Sequence, residues 1–239
     1  VRESPQSLFP LSIPGPTDRF QAIHDARPNE AAWPSMVWPP TATRLTGRIV
    51  ELLPCVPDRD AERLFRTLHH DEVWRHVPGR PRDAQQFAAN LTKRQGEGRF
   101  VWIVRLLRPY AGLAAGSLAG TTSYLDVSVL DARLEIGATT YAPAVWATKV
   151  NPDAKHLLLA YAFETLRVGR VQLKTDVRNV RSQQAIARLG ARYEATLRRH
   201  QRRDDGTVRD SVLFSILAEE WPQVRESLLA RLDAADGDR

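Results

Sequence analysis

Residues 146–155 read WATKVNPDAK and residues 175–184 read TDVRNVRSQQ. In both runs a stretch with strand character gives way to a helix, with small polar side chains at the junction. In the first, Asn151 predicts an N-cap, Pro152 the first helical position and Asp153 an acidic first turn. A helix N-terminus presents unpaired N–H groups and a partial positive charge. The same residues therefore either simply cap a helix or grip an anion, with Thr148 and Lys149 adding a hydroxyl and an ammonium group beside the backbone amides. In the second run a strand ends at Val177, and Asn179 and Ser182 flank the start of the next helix. Either residue caps that helix, or the amide and hydroxyl hydrogen-bond an extended amide-bearing ligand or a departing thiol.

Other reactive side chains are less well placed. His69-His70-Asp71 has metal-ligating types, but neighbours at a helix end point apart and no second cluster completes a site. Cys55 has no recognisable partner and reads as a small buried hydrophobe. GEG at 96–98 is a turn, and LRRHQRRDDG reads as the charged tip of a hairpin, a docking surface for an acidic substrate.

The elements that must position these groups follow from apolar periodicity and from turn residues. GRIVELLP reads as a strand, DRDAERLFRTLHH and RDAQQFAANLTKRQ as helices, and RFVWIVRLL, GSLAGTTSYLDV and RLEIGATTY as three successive strands. DAKHLLLAYAFETLRV is helical, with Leu158, Ala162 and Leu166 on one apolar line and Leu159 and Phe163 beside it. Then come strand VQLKTDV, helix RNVRSQQAIARLG closed by Gly190, strands ARYEATLRRH and TVRDSVLFSIL around the turn DDG, and helix EEWPQVRESLLARL. The order is β-α-α-β-β-β-α-β-α-β-β-α. The first 43 residues hold half of the chain's sixteen prolines and show no sustained period, so they read as an extended arm. Trp33 and Trp38 require something to pack on, either the domain or a partner. The expected organisation is an arm over 1–43, one α/β domain over 44–235 and a frayed tail over 236–239.

With 239 residues and 43% hydrophobic content, the chain can bury a sizeable core. No run approaches the ~20 apolar residues of a membrane span, and VRESPQSLFPLSIPGP lacks the pattern of a secretory signal. A single cysteine rules out an internal disulfide framework. The expectation is a cytoplasmic protein. A net charge of +6 favours anionic partners. The excess is mostly arginine, which genomic base bias explains as easily as phosphate recognition, so nucleic acid is not among the expected partners.

Taken in order, LEIG, WATKVNPDAK, AFETL, TDVRNVRSQQAIARLGARYEATLR, DGTVRD and EEW resemble the GNAT superfamily of N-acetyltransferases, in its RimJ/RimL-like branch. The resemblance spans roughly 47–232. It implies an α/β (α+β) fold whose mixed, mostly antiparallel central sheet has splayed strands and flanking helices. It also implies acetyl-CoA as co-substrate, no metal, and direct transfer of acetyl to an amine, either a protein N-terminus or a small molecule, in a ternary complex. The 134–143 stretch would be the splayed strand, with Thr140 and Tyr141 lining the pantetheine arm. Trp146, Ala147, Thr148, Lys149, Val150 and Asn151 would form the pyrophosphate loop. Asn179 matches the asparagine that binds the cofactor arm, and Ser182 the serine that protonates the thiolate. Glu135, alternating with Leu134 and Ile136, is the candidate base, or else a structural carboxylate paired with an arginine. Lys149 stands where the family has glycine. That departure supports a rival reading, a non-catalytic acyl-CoA-binding regulatory module that engages RNA or protein. A homodimer is possible, but no particular residue argues for one.

Overall fold

The structure, a computed structural model, describes residues 33–234. The proline-rich stretch before Trp33 and the expected tail at 236–239 lie outside them. Strands β1 (Leu45–Thr46), β2 (Val50–Pro54), β3 (Phe100–Leu106), β4 (Leu118–Ser128), β5 (Arg133–Tyr141), β6 (Arg170–Asp176), β7 (Arg192–Arg202) and β8 (Val208–Leu217) form one sheet in the order β1-β2-β3-β4-β5-β6-β8-β7. The helices are α1 (Pro57–Leu68), α2 (Asp71–Trp74), α3 (Ala84–Gly96), α4 (Val150–Ala160), α5 (Val180–Ala187) and α6 (Trp221–Asp233). Every pairing is antiparallel except β5 with β6, which α4 joins as a crossover. This is the mixed, mostly antiparallel sheet flanked by helices that the sequence predicts. Two short elements add to the expected order, β1 and α2. The opening strand breaks at Gly47–Ile49, and four-residue α2 is too short to show a period.

Two apolar clusters sandwich the sheet. On one face Trp102, Tyr124, Leu134, Ile136, Val171 and Leu173 pack with Leu158 and Leu159 of α4 and Leu228 of α6. On the other, Val101 and Ile103 pack with Leu64 of α1, Trp74 of α2 and Phe87 and Leu91 of α3. That second layer holds Cys55, which is buried, its thiol pushed up to about 12 by desolvation. It is the inert apolar residue the sequence predicts.

Three buried polar anchors fix α4. Tyr124 Oη donates to the Leu158 carbonyl at 2.6 Å. Just beyond, the expected continuous helix widens to a π-turn over Tyr161–Thr165, with Leu166 N–H donating to Tyr161 O at 2.9 Å. Tyr161 Oη accepts from the N–H groups of Thr41 and Ala42 at 3.1 and 3.0 Å. The described end of the arm therefore lies on the domain. Met36 is buried, Trp38 packs edge-on to Phe100 and Tyr124, and Trp33 Nε1 donates to Asp131 O at 2.7 Å.

Asp153 is the third anchor. Its carboxylate accepts from the backbone N–H groups of Arg48, Ile49 and Val50 at 3.0, 2.7 and 3.0 Å. Gly47 is required there, because a Cβ would meet the carboxylate oxygens at 2.6 Å. Asp153 thus clasps the β1–β2 turn, a long-range role beyond the first-turn acid expected of it.

Candidate active site

Strands β5 and β6 run side by side for three paired positions only, Arg133↔Arg170, Leu134↔Val171 and Glu135↔Gln172. Beyond them β5 stays with β4, while β6 follows β8 as far as Asp176↔Ser211. The two strands therefore open into a V with Glu135 at its apex. A bulge in β5 helps part them: the β4 register slips between Thr121↔Thr140 and Ser123↔Gly137, and Ala138 adopts φ 48°. Gly120 admits the bulge, since a Cβ there would lie 1.9 Å from Thr140 O. Along the open edge of β5, backbone N–H and C=O groups have no strand partner on the β6 side.

The mouth of the V lies at the C-terminal ends of two parallel strands, where α4 and α5 begin, a recurrent place for ligand binding in such units. After β5, Trp146 Nε1 donates to Tyr141 O at 2.9 Å and Thr148 Oγ1 to Val145 O at 2.7 Å. Ala147 takes φ 58°, turning the chain into α4. Here the structure corrects one expectation. The helix begins at Val150 with Lys149 in the cap position, so Asn151 and Pro152 lie inside the first turn and Asn151 is not the N-cap. The expected loop reduces to 146–149, with Val150 and Asn151 supplying first-turn groups. Lys149 Nζ reaches the carbonyls of Leu232 and Ala234 at the end of α6. A side chain in the glycine position thus fastens the C-terminal helix and leaves the loop backbone in place.

On the other side of the mouth, Asn179 is the N-cap of α5, its Oδ1 accepting from Ser182 N–H at 3.1 Å. The capping reading of this pair is therefore correct for Asn179, whose amide NH₂ remains a donor. Ser182 is half-buried in the first turn. Arg181, one residue earlier, stacks 3.6 Å over the Trp146 ring and joins the two helix starts across the mouth. Thr140 is engaged with Thr121, Oγ1 to Oγ1 at 2.9 Å, and Tyr141 is buried with its phenol raised by desolvation. Their side chains belong to the core, so only their backbone faces the cleft edge.

Glu135 points to the opposite face from Leu134 and Ile136, as alternation requires, and is 5% exposed. Its partner is Lys174, with Nζ at 2.8 Å from Oε2, where the sequence suggested an arginine. Burial raises its carboxyl above the usual range, and Lys174 partly offsets that. Lys174 also lies 3.4 Å from Asp126, which accepts from Gln172 Nε2 at 2.7 Å. One step along the same face, Asp176 holds Arg203 at 2.6 and 2.8 Å and its carboxyl is depressed. Register extends this face to Ser211 and Arg209 of β8. Opposite stands the turn after α2, where Gly79 N–H donates to Asp204 Oδ2 at 2.7 Å and ties that turn to the β7–β8 hairpin. LRRHQRRDDG is thus the hairpin tip that the sequence predicts, serving as a wall of the cleft.

Sequence reasoning missed Lys174, Asp176, Arg203 and Arg209. The alternation in QLKTD, which sets Gln172, Lys174 and Asp176 on one face, was the available signal. Among the described residues no cluster of histidine, cysteine and acidic side chains is arranged to hold a metal, and no helix is long and apolar enough to cross a membrane.

The model for the acetyltransferase (GNAT) domain matches residues 50–192. A solved structure from T. thermophilus, assigned as an acetyltransferase, is 37% identical; the match covers 82% of this chain and 100% of that one, with a TM-score of 0.72. A GNAT-family structure from Chromobacterium violaceum is 28% identical over 85% of this chain and 100% of the other, at a TM-score of 0.76. Mycobacterium smegmatis RimJ, solved in complex with CoA-disulfide, shares the fold at 23% identity, 84% and 97% coverage and a TM-score of 0.64. No curated protein sequence matches the chain.

Proposed function

Because the chain belongs to the GNAT acetyltransferase family, we propose that it carries acetyl from acetyl-CoA directly to an amine bound in the same cleft, and that it sits in the RimJ/RimL-like branch. The observation that carries this reading is the V between β5 and β6, which offers an unpaired strand edge beyond its apex and two helix N-termini at its mouth. The residues fit the cofactor. An extended amide chain can add to the free edge of β5 much as a strand would, and a pyrophosphate suits the start of α4 and its approach at 146–149. Asn179 keeps a donor for the arm between them.

Acetyl-CoA supplies an activated acetyl thioester. The protein must offer a neutral amine, a polarised carbonyl and a proton for the departing sulfur. Glu135 takes the amine proton, directly or through one water. Lys174 keeps it ionised despite burial, and that burial raises its basicity toward working pH. Backbone N–H groups on the open edge of β5 polarise the carbonyl. Ser182 delivers the proton to sulfur from the first turn of α5. The acceptor enters from the α1–α3 face, between the turn after α2 and the β7–β8 hairpin.

Calorimetric titration with acetyl-CoA tests the cofactor half of the proposal. Wild type should bind, and Asn179→Ala should bind about tenfold more weakly, as expected for one lost hydrogen bond to the arm plus a weakened helix start. Absence of binding by the wild-type protein would refute the reading. Ser182→Ala should lower turnover with little change in acetyl-CoA affinity, and unchanged turnover would remove it from the mechanism.

A further inference from the structure

One cation in the amine half of the cleft lacks a direct partner. Sheet register places Glu135, Lys174, Asp176, Ser211 and Arg209 on one face: Glu135 pairs with Gln172, Asp176 pairs with Ser211, and Arg209 lies two residues before Ser211 on β8. Of the acids there, Glu135 is matched by Lys174 at 2.8 Å and Asp176 by Arg203 at 2.6 Å. Asp126 receives Gln172 and Lys174. Arg209 is left over. Its Nε is buried without a hydrogen-bond partner, and its guanidinium interacts with Asp176 and Glu135 only through space. His200 Nδ1 is 3.0 Å from Ser211 Oγ, and His200 lies close enough to Lys174 and Arg209 to feel both cations. His76, on the turn after α2, is surrounded by Arg75, Arg181 and Arg203 besides Asp176.

A partly buried guanidinium with an unsatisfied N–H is costly unless a ligand completes it. Its planar fork fits a carboxylate with two parallel hydrogen bonds. Resting on the transfer reading above, we propose that the acceptor is an amino-carboxylate, and that Arg209 binds its carboxylate while the amine lies at Glu135. The Glu135–Lys174 and Asp176–Arg203 pairs cancel within themselves. A carboxylate therefore gives Arg209 the direct acceptor it lacks, and an amine without an anionic group does not.

The experiment compares acceptors in acid and carboxamide pairs. One arm uses free α- and ω-amino acids of increasing length, and a second uses tripeptides with a free amino terminus and an aspartate at the second position. The first arm reads metabolite-like acceptors and the second acidic protein termini. In at least one arm the acid should exceed its amide by tenfold or more in kcat/KM, the scale of one charge-assisted pair. Arg209→Gln should raise KM for the preferred acid by about the same factor, with a smaller change in kcat and an unchanged acetyl-CoA affinity. Arg209→Lys should restore part of the preference as a point charge. Calorimetry with the N-acetylated acid and its amide gives a readout independent of turnover and should rank them the same way. Equal use of acids and amides by wild type overturns the assignment. An Arg209→Gln effect on acetyl-CoA affinity in place of acceptor KM also overturns it, by giving Arg209 to the cofactor. Wild-type protein that fails to bind acetyl-CoA sinks the transfer reading along with this one, so the two failures are distinguishable.

Discussion

Lys155 lies at the middle of α4, buried beneath the bulge of β5, where Nζ is 2.8 Å from Thr139 Oγ1 and 3.2 Å from Thr122 Oγ1. No carboxylate faces it, and desolvation alone brings its ammonium from 10.5 down to about 7. Held charged, the group therefore costs the fold on the order of 5 kcal/mol, at ~1.4 kcal/mol for each tenfold change in proton affinity. The sign follows from proton counts. Between pH 7 and 10.5 the unfolded chain binds more protons at this residue than the folded one, so stability rises with pH across that window. Below about 7 both states are charged and the cost is constant.

Lys155→Met removes the titrating group at similar volume. It leaves no orphan, because Thr122 and Thr139 remain bonded to each other at 2.8 Å. Urea denaturation of both proteins at several pH values then isolates the contribution, since all other titrations cancel in the difference. Relative to the variant, wild type should gain about 2.5 kcal/mol between pH 7.5 and 9.5. Parallel stability curves would refute the reasoning and mean that the ammonium is hydrated or paired in solution.

Gly120→Ala should destabilise by roughly 3 kcal/mol or more and weaken acetyl-CoA binding together, because its Cβ would collide with Thr140 O at the bulge; thermal melting and calorimetry check the pair. Asp153→Ala leaves three N–H groups of the β1–β2 turn without an acceptor, two of them buried, and should cost about 3 kcal/mol in urea denaturation. Glu135 must be ionised to take a proton, and burial raises its carboxyl, so kcat/KM should fall as pH drops through a value above the ordinary carboxylate range. In Glu135→Gln turnover should fall and the limb at that pH vanish, leaving only the amine's own titration; an unchanged pH profile in the variant excludes Glu135 as its source.

The periodic elements were legible in sequence because each follows from local chemistry. RFVWIVRLL is rich in β-branched and aromatic residues, and α1 opens with Pro57, Asp58 and Asp60. Asn179 could be read as a cap because the N–H it accepts from is only three residues away. What escaped depends on distant partners. Ala138, Ala147 and Asp126 all take positive φ, but none is a glycine that would have marked the turn in advance. Asp153 and Lys149 read as the charges of a helix start, yet one serves Gly47–Val50 and the other the end of α6. Nothing local marks Lys155 for burial, and only the packing of α4 on the bulge buries it. The position of the cleft was readable from the order of motifs; its charge balance was not, since it depends on which arginine finds which carboxylate across β6 and β8.

The brief contact between β5 and β6 also bears on how the chain folds. Strands β2 to β5 each pair with the preceding strand, so that part of the sheet needs only neighbouring segments to meet. Strands β6, β8 and β7 form a second set, again close in sequence. Only three rungs of parallel ladder connect the sets, reinforced by the layer of α4 and α6 beneath. The first set can therefore form as soon as Tyr141 has emerged in synthesis, while its last strand waits with one edge bare until residues 170–217 arrive. Native-state hydrogen exchange should reveal the seam as a boundary between two cooperative units, each closing at its own free energy.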